Sequence, residues 1–254
     1  MKLFDTHAHY DDRAFDRDRA AVVASLPEHG VALALCPGCD MESSKSCVRL
    51  AMEYDYIYAA VGVHPHDAKN VPPGWLSGLE ALSHHPKVKA IGEIGLDYHY
   101  DHSPRDIQQT VFRTQMDLAG RLDLPVIVHD REAHRDCLDA VRAYPNVTGV
   151  YHCYSGGLED AKILTELGWM LSFTGAITFK NAKRALEVIK WLPIERMMIE
   201  TDSPYLTPEP HRGTRNDSTY VHLVAEKIAE VKGIAPEEVA AITMENGKRF
   251  FGIE

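Results

Sequence analysis

Short apolar runs rich in Val, Ile and Ala recur along the chain: Lys2 to His7, Val31 to Cys36, Ile57 to His64, Val88 to Glu93, Pro125 to His129, Gly149 to His152, Met170 to Thr174 and Met197 to Thr201. Between them, apolar residues fall three and four apart, as at Val22, Val23 and Leu26 or at Leu118 and Leu122, the signature of helices with one buried face. The register is strand then helix, eight times over. Near-continuous apolar strands are those buried on both faces of a parallel sheet, so the pattern predicts an α/β protein, a (β/α)8 TIM barrel in a single domain over residues 1–254. After the eighth strand, Ser218 to Lys232 and Pro236 to Phe251 read as two closing helices. Pro236 in the first turn, with Glu237 and Glu238 beside it, suits a helix start and its dipole.

Composition narrows the picture. A chain of 254 residues can hold two small domains, but barrels of about 250 residues form one, and eight strand–helix units leave no room for a second. With 45% hydrophobic and 25% charged residues, disordered and low-complexity classes are excluded. No long apolar run occurs and the N-terminus turns polar after Phe4, so neither a membrane span nor a secretory leader is expected, and cytoplasmic action is. The five cysteines, an odd number scattered along the chain, read as reduced thiols. A net charge of −10 without any basic run argues against clamping a long duplex, which needs many Lys and Arg contacts to phosphate. It leaves room for an enzyme that holds phosphates with metals. No membrane contact or obligate protein partner is evident.

The chemistry lies in what ends the strands. His7 and His9 end the first, His64 and His66 the third, Glu93 the fourth, His129 the fifth, His152 the sixth and Asp202 the eighth. In a barrel these ends share one rim, where active sites are built. Residues two apart on a strand point the same way, so His7 and His9 present two imidazoles to one metal; alone, the pair could equally be hydrogen-bonded packing at the barrel mouth. Either of His129 and His152 alone would read as a satisfied core histidine, but the two together favour a metal. Glu93 is a carboxylate on a central strand, flanked by Gly92 and Gly95, and needs a cation or a paired Arg. Asp202, before Ser203-Pro204, can cap a turn, bind metal, or act as base on metal-activated water.

Together the motifs Asp5-Thr6-His7-Ala8-His9, Gly62-Val63-His64-Pro65-His66, Glu93-Ile94-Gly95-Leu96-Asp97-Tyr98, His129-Asp130-Arg131, His152-Cys153-Tyr154-Ser155-Gly156 and Glu200-Thr201-Asp202-Ser203-Pro204, in this order, resemble the TatD family of metal-dependent deoxyribonucleases. The resemblance runs from residue 2 to about residue 252. It implies an amidohydrolase-type barrel and a 3′ to 5′ exonuclease acting on single strands or ends of DNA, with RNA as a further partner. It also implies two divalent ions: His7, His9 and Asp202 on one, His129 and His152 on the other, with Glu93 bridging or sharing them. Magnesium or manganese is expected for activity, while imidazole-rich donors lean to zinc, iron or nickel as bound ions. Asp202 or Glu93 is expected to take the proton of the attacking water. The resemblance places His64 at the substrate phosphate, where a protonated imidazole can donate.

Arg131 suits a bidentate phosphate contact or a structural ion pair. His211-Arg212-Gly213-Thr214-Arg215-Asn216 resembles the family loop after the last strand, which makes Arg212 a substrate contact. Thr214 stands where the family usually has Lys, and Asp217-Ser218 departs from its usual Glu-Pro, which bears on the loop's rigidity. Cys36-Pro37-Gly38-Cys39 has the spacing of a redox pair but no second pair to complete a zinc site. Trp75, Tyr98, Tyr100 and Tyr205 are candidates for stacking on bases or for packing at core or rim. The rival reading is an amidohydrolase, or an aminoacyl-tRNA deacylase, using the same metal centre on a carbonyl.

Overall fold

A computed structural model describes residues 1–254. All eight predicted strands are present: β1 (Leu3–Asp5), β2 (Val31–Pro37), β3 (Ile57–Val61), β4 (Val88–Asp97), β5 (Val126–Arg131), β6 (Gly149–Tyr151), β7 (Met170–Phe173) and β8 (Met197–Ile199). The sheet order is the chain order, β1 through β8, and the pairings are parallel. This is the strand order of the (β/α)8 fold that the apolar pattern predicts.

Contacts group the chain into two compact units that alternate along it: residues 1–36, 153–161 and 170–254, and residues 37–152 and 162–169. In the first unit, Thr6 N donates to Ile199 O, tying β1 to β8 at 3.1 Å, β7 pairs with β8, and β1 pairs with β2. The closing helices α8 (Val221–Lys232) and α9 (Pro236–Phe251) belong here, α8 preceded by a single 3-10 turn at Ser218–Tyr220. Phe251 of α9 packs its ring on Phe4 of β1, centroids 6.0 Å apart.

In the second unit, β3, β4, β5 and β6 pair in turn. The long helix α4 (Arg105–Leu122) turns two buried glutamines, Gln108 and Gln115, toward the strand ends. Seven residues apart is two helical turns, so both lie on one face. Gln115 bonds both N–H and C=O of Val63, and Gln108 bonds both N–H and C=O of Asp97. Each amide satisfies backbone groups that the sheet leaves unpaired and that would be costly to bury alone.

The strand ends differ from the periodicity in one respect that matters. β1 stops at Asp5 and β3 at Val61, short of the histidines, whereas β4 runs past Glu93 to Asp97 and β5 past His129 to Arg131. The extension follows from continued pairing of Gly95 with His129, Leu96 with Asp130 and Asp97 with Arg131. Gly95 permits it: its φ is +137°, and a Cβ there would lie 2.0 Å from the His129 carbonyl oxygen. Gly95→Ala is therefore expected to destabilise the fold by about 2–3 kcal/mol, a drop in Tm of roughly 4–12 °C for a chain this long, read by calorimetry.

Candidate active site

In the first unit three predicted ligands converge. His7 Nε2 lies 3.1 Å from His9 Nε2, and Asp202 Oδ1 is 3.8 and 3.5 Å from the two. Their placement comes from the chain around them. Asp5, fully buried, accepts from Thr201 N at 2.9 Å, from Thr201 Oγ1 at 2.6 Å and from His7 N at 3.3 Å, so one carboxylate fixes both the exit of β1 and the exit of β8. Burial pushes its carboxyl up to about 7, against the hydrogen bonds from Ser218, Thr201 and His7. Asp202 N donates to His7 O and His9 N to Ser203 O, closing the join. Cys36 donates its thiol to Ala8 O at 3.0 Å and accepts from Tyr10 N; neither it nor Cys39 is in a disulfide, and Cys36 shapes the His7–His9 segment.

In the second unit the donors meet on one oxygen. Glu93 Oε1 is 2.9 Å from His129 Nδ1, 2.8 Å from His152 Nε2 and 3.5 Å from His64 Nε2, and His129 Nδ1 is 3.2 Å from His152 Nε2. Donors held by one ion at about 2.1 Å stand roughly 3–3.4 Å apart, so this triangle is of the size a single divalent ion spans. The proton count points the same way. Asp97 Oδ2 accepts from His129 Nε2 at 3.1 Å, which leaves a neutral His129 facing Glu93 with a bare lone pair on Nδ1. Two lone pairs 2.9 Å apart require a cation between them, proton or metal. Burial pulls the His129 imidazole down, but hydrogen bonds to Asp97 and Glu93 outweigh it and raise its affinity for a proton. The imidazole and carboxylate donors of both units therefore suit a divalent metal.

His64 is buried, and burial pushes its imidazole down to about 4, against the pull of Glu93. Its Nδ1 accepts from His66 N at 3.1 Å, so the proton of the neutral ring sits on Nε2, toward Glu93. The ring thus presents Nε2–H as a donor even when neutral.

The sequence reading gave no role to Asp97. This fully buried carboxylate accepts from His129 and, at 2.9 Å, from His66 Nε2, while its Oδ1 accepts from the N–H groups of His99 and Tyr100. Burial opposes its ionisation, but the hydrogen bonds from His129, His66 and Tyr100 hold the carboxyl far below the usual carboxylate range. A carboxylate behind a ligating imidazole fixes the ring's tautomer and orientation. The signal available in sequence was its place four residues after Glu93, on the same strand.

Arg131 is exposed at the end of β5 with its guanidinium over the Tyr100 ring, 4.7 Å from the centroid, and Arg212 lies exposed over Phe179 at 3.8 Å. Their surroundings are thus aromatic rather than acidic. Arg215 in the same loop is structural, bidentate to Asp18 at 2.7 and 2.8 Å. The loop is held despite its unusual sequence: Asn216 Nδ2 donates to Thr201 O and Tyr205 O, and Asp217 caps the turn that follows by accepting from Thr219 N.

The sequence profile of the family described as TatD related DNase matches residues 4–252. The chain belongs to the TatD family. Among its TatD relatives, the Bacillus subtilis protein named uncharacterized metal-dependent hydrolase YabD is 45% identical over 253 residues, covering 99% of each chain. The Salmonella typhimurium protein named 3′-5′ ssDNA/RNA exonuclease TatD is 31% identical over 261 residues, again with 99% of each covered. The crystal structure of YJJV, a TatD homolog from Escherichia coli K12, superimposes with a TM-score of 0.93 at 30% identity, covering 99% of this chain and 98% of that one. The chain is a metal-dependent hydrolase of the TatD family, and it carries His, Glu and Asp clusters able to hold a metal ion. No helix is long and apolar enough to cross a membrane.

Proposed function

We propose that this chain hydrolyses phosphodiester bonds of single-stranded DNA, and of RNA as a second substrate, releasing nucleotides from the 3′ end. The observation that carries the reading is the convergence of His129, His152 and His64 on one oxygen of Glu93, in a chain alignable end to end with an exonuclease of that polarity. In this proposal His7, His9 and Asp202 hold one divalent ion and Glu93, His129 and His152 a second. Magnesium or manganese would supply the Lewis acidity, lowering the pKa of water and drawing charge from the phosphoryl oxygen.

The side chains do the rest. Asp202, with its side chain 15% exposed, accepts the proton of the attacking water. His64 donates its Nε2–H to a phosphoryl oxygen without changing charge. Arg131 and Arg212, both exposed, reach flanking phosphates. The five cysteines, none of them in a disulfide, fit action in the reducing cytoplasm.

A single preparation should be offered an end-labelled single-stranded oligonucleotide, an aminoacyl-tRNA and small amides. Stepwise loss of 3′ nucleotides, at least about tenfold faster than either competing hydrolysis, is expected. Turnover of the aminoacyl ester or amide with the strand left intact would overturn the nuclease reading in favour of carbonyl chemistry at the same centre.

A further inference from the structure

Beside the Glu93 cluster, the second unit carries a group of three rings, His66, Tyr100 and His102. Tyr100 is 50% exposed, and the His102 ring is stacked on it with planes 12° apart and centroids at 5.4 Å. His66 meets both edge-on, at 5.5 Å from Tyr100 and 4.6 Å from His102. His66 is in turn 6.2 Å from His129, ring to ring. The group is anchored: Asp97 Oδ1 accepts from Tyr100 N at 2.8 Å, and the same carboxylate orients His129. Of the other aromatic candidates, Tyr98 is engaged through its hydroxyl with Asp136 and is covered by the Arg105 guanidinium, 4.2 Å from its centroid, which Asp101 holds in place at 2.6 and 2.9 Å.

We propose that Tyr100, backed by His102, is a stacking surface for one unpaired base of the strand being cleaved. The inference rests on the nucleic-acid reading and adds to it the reason for a single-stranded substrate. A large exposed aromatic loses little entropy on binding a flat ring, and the exposed Arg131 guanidinium that lies over Tyr100 moves to a flanking phosphate when a base takes its place. A π-face accepts any base, so the surface selects for strandedness, because a base in a duplex cannot leave its stack without a cost that a free end does not pay. Rates on the four homopolymers should therefore agree within a few-fold.

The test uses the intact protein with Tyr100→Ala and Tyr100→Phe. On a normal strand, Tyr100→Ala should raise KM about tenfold while kcat stays within about twofold, and Tyr100→Phe should match the unaltered protein. On a strand whose 3′-terminal nucleotides lack bases, the Ala variant and the unaltered protein should share one KM. An unchanged KM on the normal strand, or an equal rise on both strands, would overturn the proposal and leave Tyr100 as rim packing. Failure of the nuclease reading is seen separately, as no nucleotide release from any strand by the unaltered protein. The surface is then judged by fluorescence of 2-aminopurine at the 3′ end of a strand with phosphorothioate linkages. Quenching by the unaltered and Phe proteins but not by the Ala variant supports it, and quenching that is absent or the same in all three overturns it.

Discussion

Hydrolysis of an end-labelled single strand is expected to stop in excess chelator, to return with magnesium or manganese, and to fall by at least about a thousandfold when Glu93 is replaced by glutamine. The size follows from what Glu93 Oε1 does. It is the point on which His129 and His152 converge within 3 Å, its side chain is 3% exposed, and it is the one carboxylate in that triangle. Glutamine keeps the shape and removes the charge, so a divalent ion there loses its anionic ligand inside a medium where charge interactions are strong, a change of several kcal/mol in the barrier. Stability should move much less. Burying a carboxylate is itself costly, and the variant no longer bears that cost, so Tm is expected to stay within a few degrees. Initial rates, metal content by elemental analysis and a thermal melt on the same sample check all three. A glutamine variant that keeps its metal and more than a tenth of its rate would contradict the assignment of Glu93.

The residues that carry this prediction were visible in the sequence because each follows a run of apolar residues that can only be a buried strand. Ile91-Gly92 before Glu93, Val126-Ile127-Val128 before His129 and Gly149-Val150-Tyr151 before His152 locate strands first and ligands second. The parallel order follows from the same runs, since strands apolar on both faces must be covered on both. What periodicity could not show is where pairing stops. β4 and β5 continue together for several residues past Glu93 because Gly95 can approach the His129 carbonyl, and that approach is a tertiary fact. Nor could it show side chains acting on other strands. Asp5 reads as part of a motif, but its work is to hold Thr201, nearly the whole chain away, and Gln108 and Gln115 read as polar residues on a helix although both are buried against strand ends. The burial of His64 is hidden for a related reason: the sequence shows a histidine at a strand end, but only the fold shows how deeply it is buried.

Asp97 is the clearest case of a residue that sequence placed and structure explained, and it carries the second large expected effect. Asp97→Asn should lower metal affinity and activity about 10- to 100-fold. The amide cannot satisfy the four donors now shared by the carboxylate. If its NH2 faces His129 Nε2, that nitrogen must become an acceptor, the ring proton moves to Nδ1, and the lone pair needed opposite Glu93 is gone. If its oxygen faces His129 instead, the NH2 is turned toward the N–H groups of His99 and Tyr100, donor against donor. In this second arrangement a buried polar group is left unpaired, at about 1–3 kcal/mol, and Tm should fall by roughly 2–12 °C for a chain this long. The first outcome predicts that activity recovers part of the way as manganese is raised, because the ligand set is weakened rather than removed. Titrating activity against manganese for both proteins tests this directly. A variant with the same half-saturating metal concentration and the same limiting rate as the unaltered protein would show that Asp97 does not act through His129.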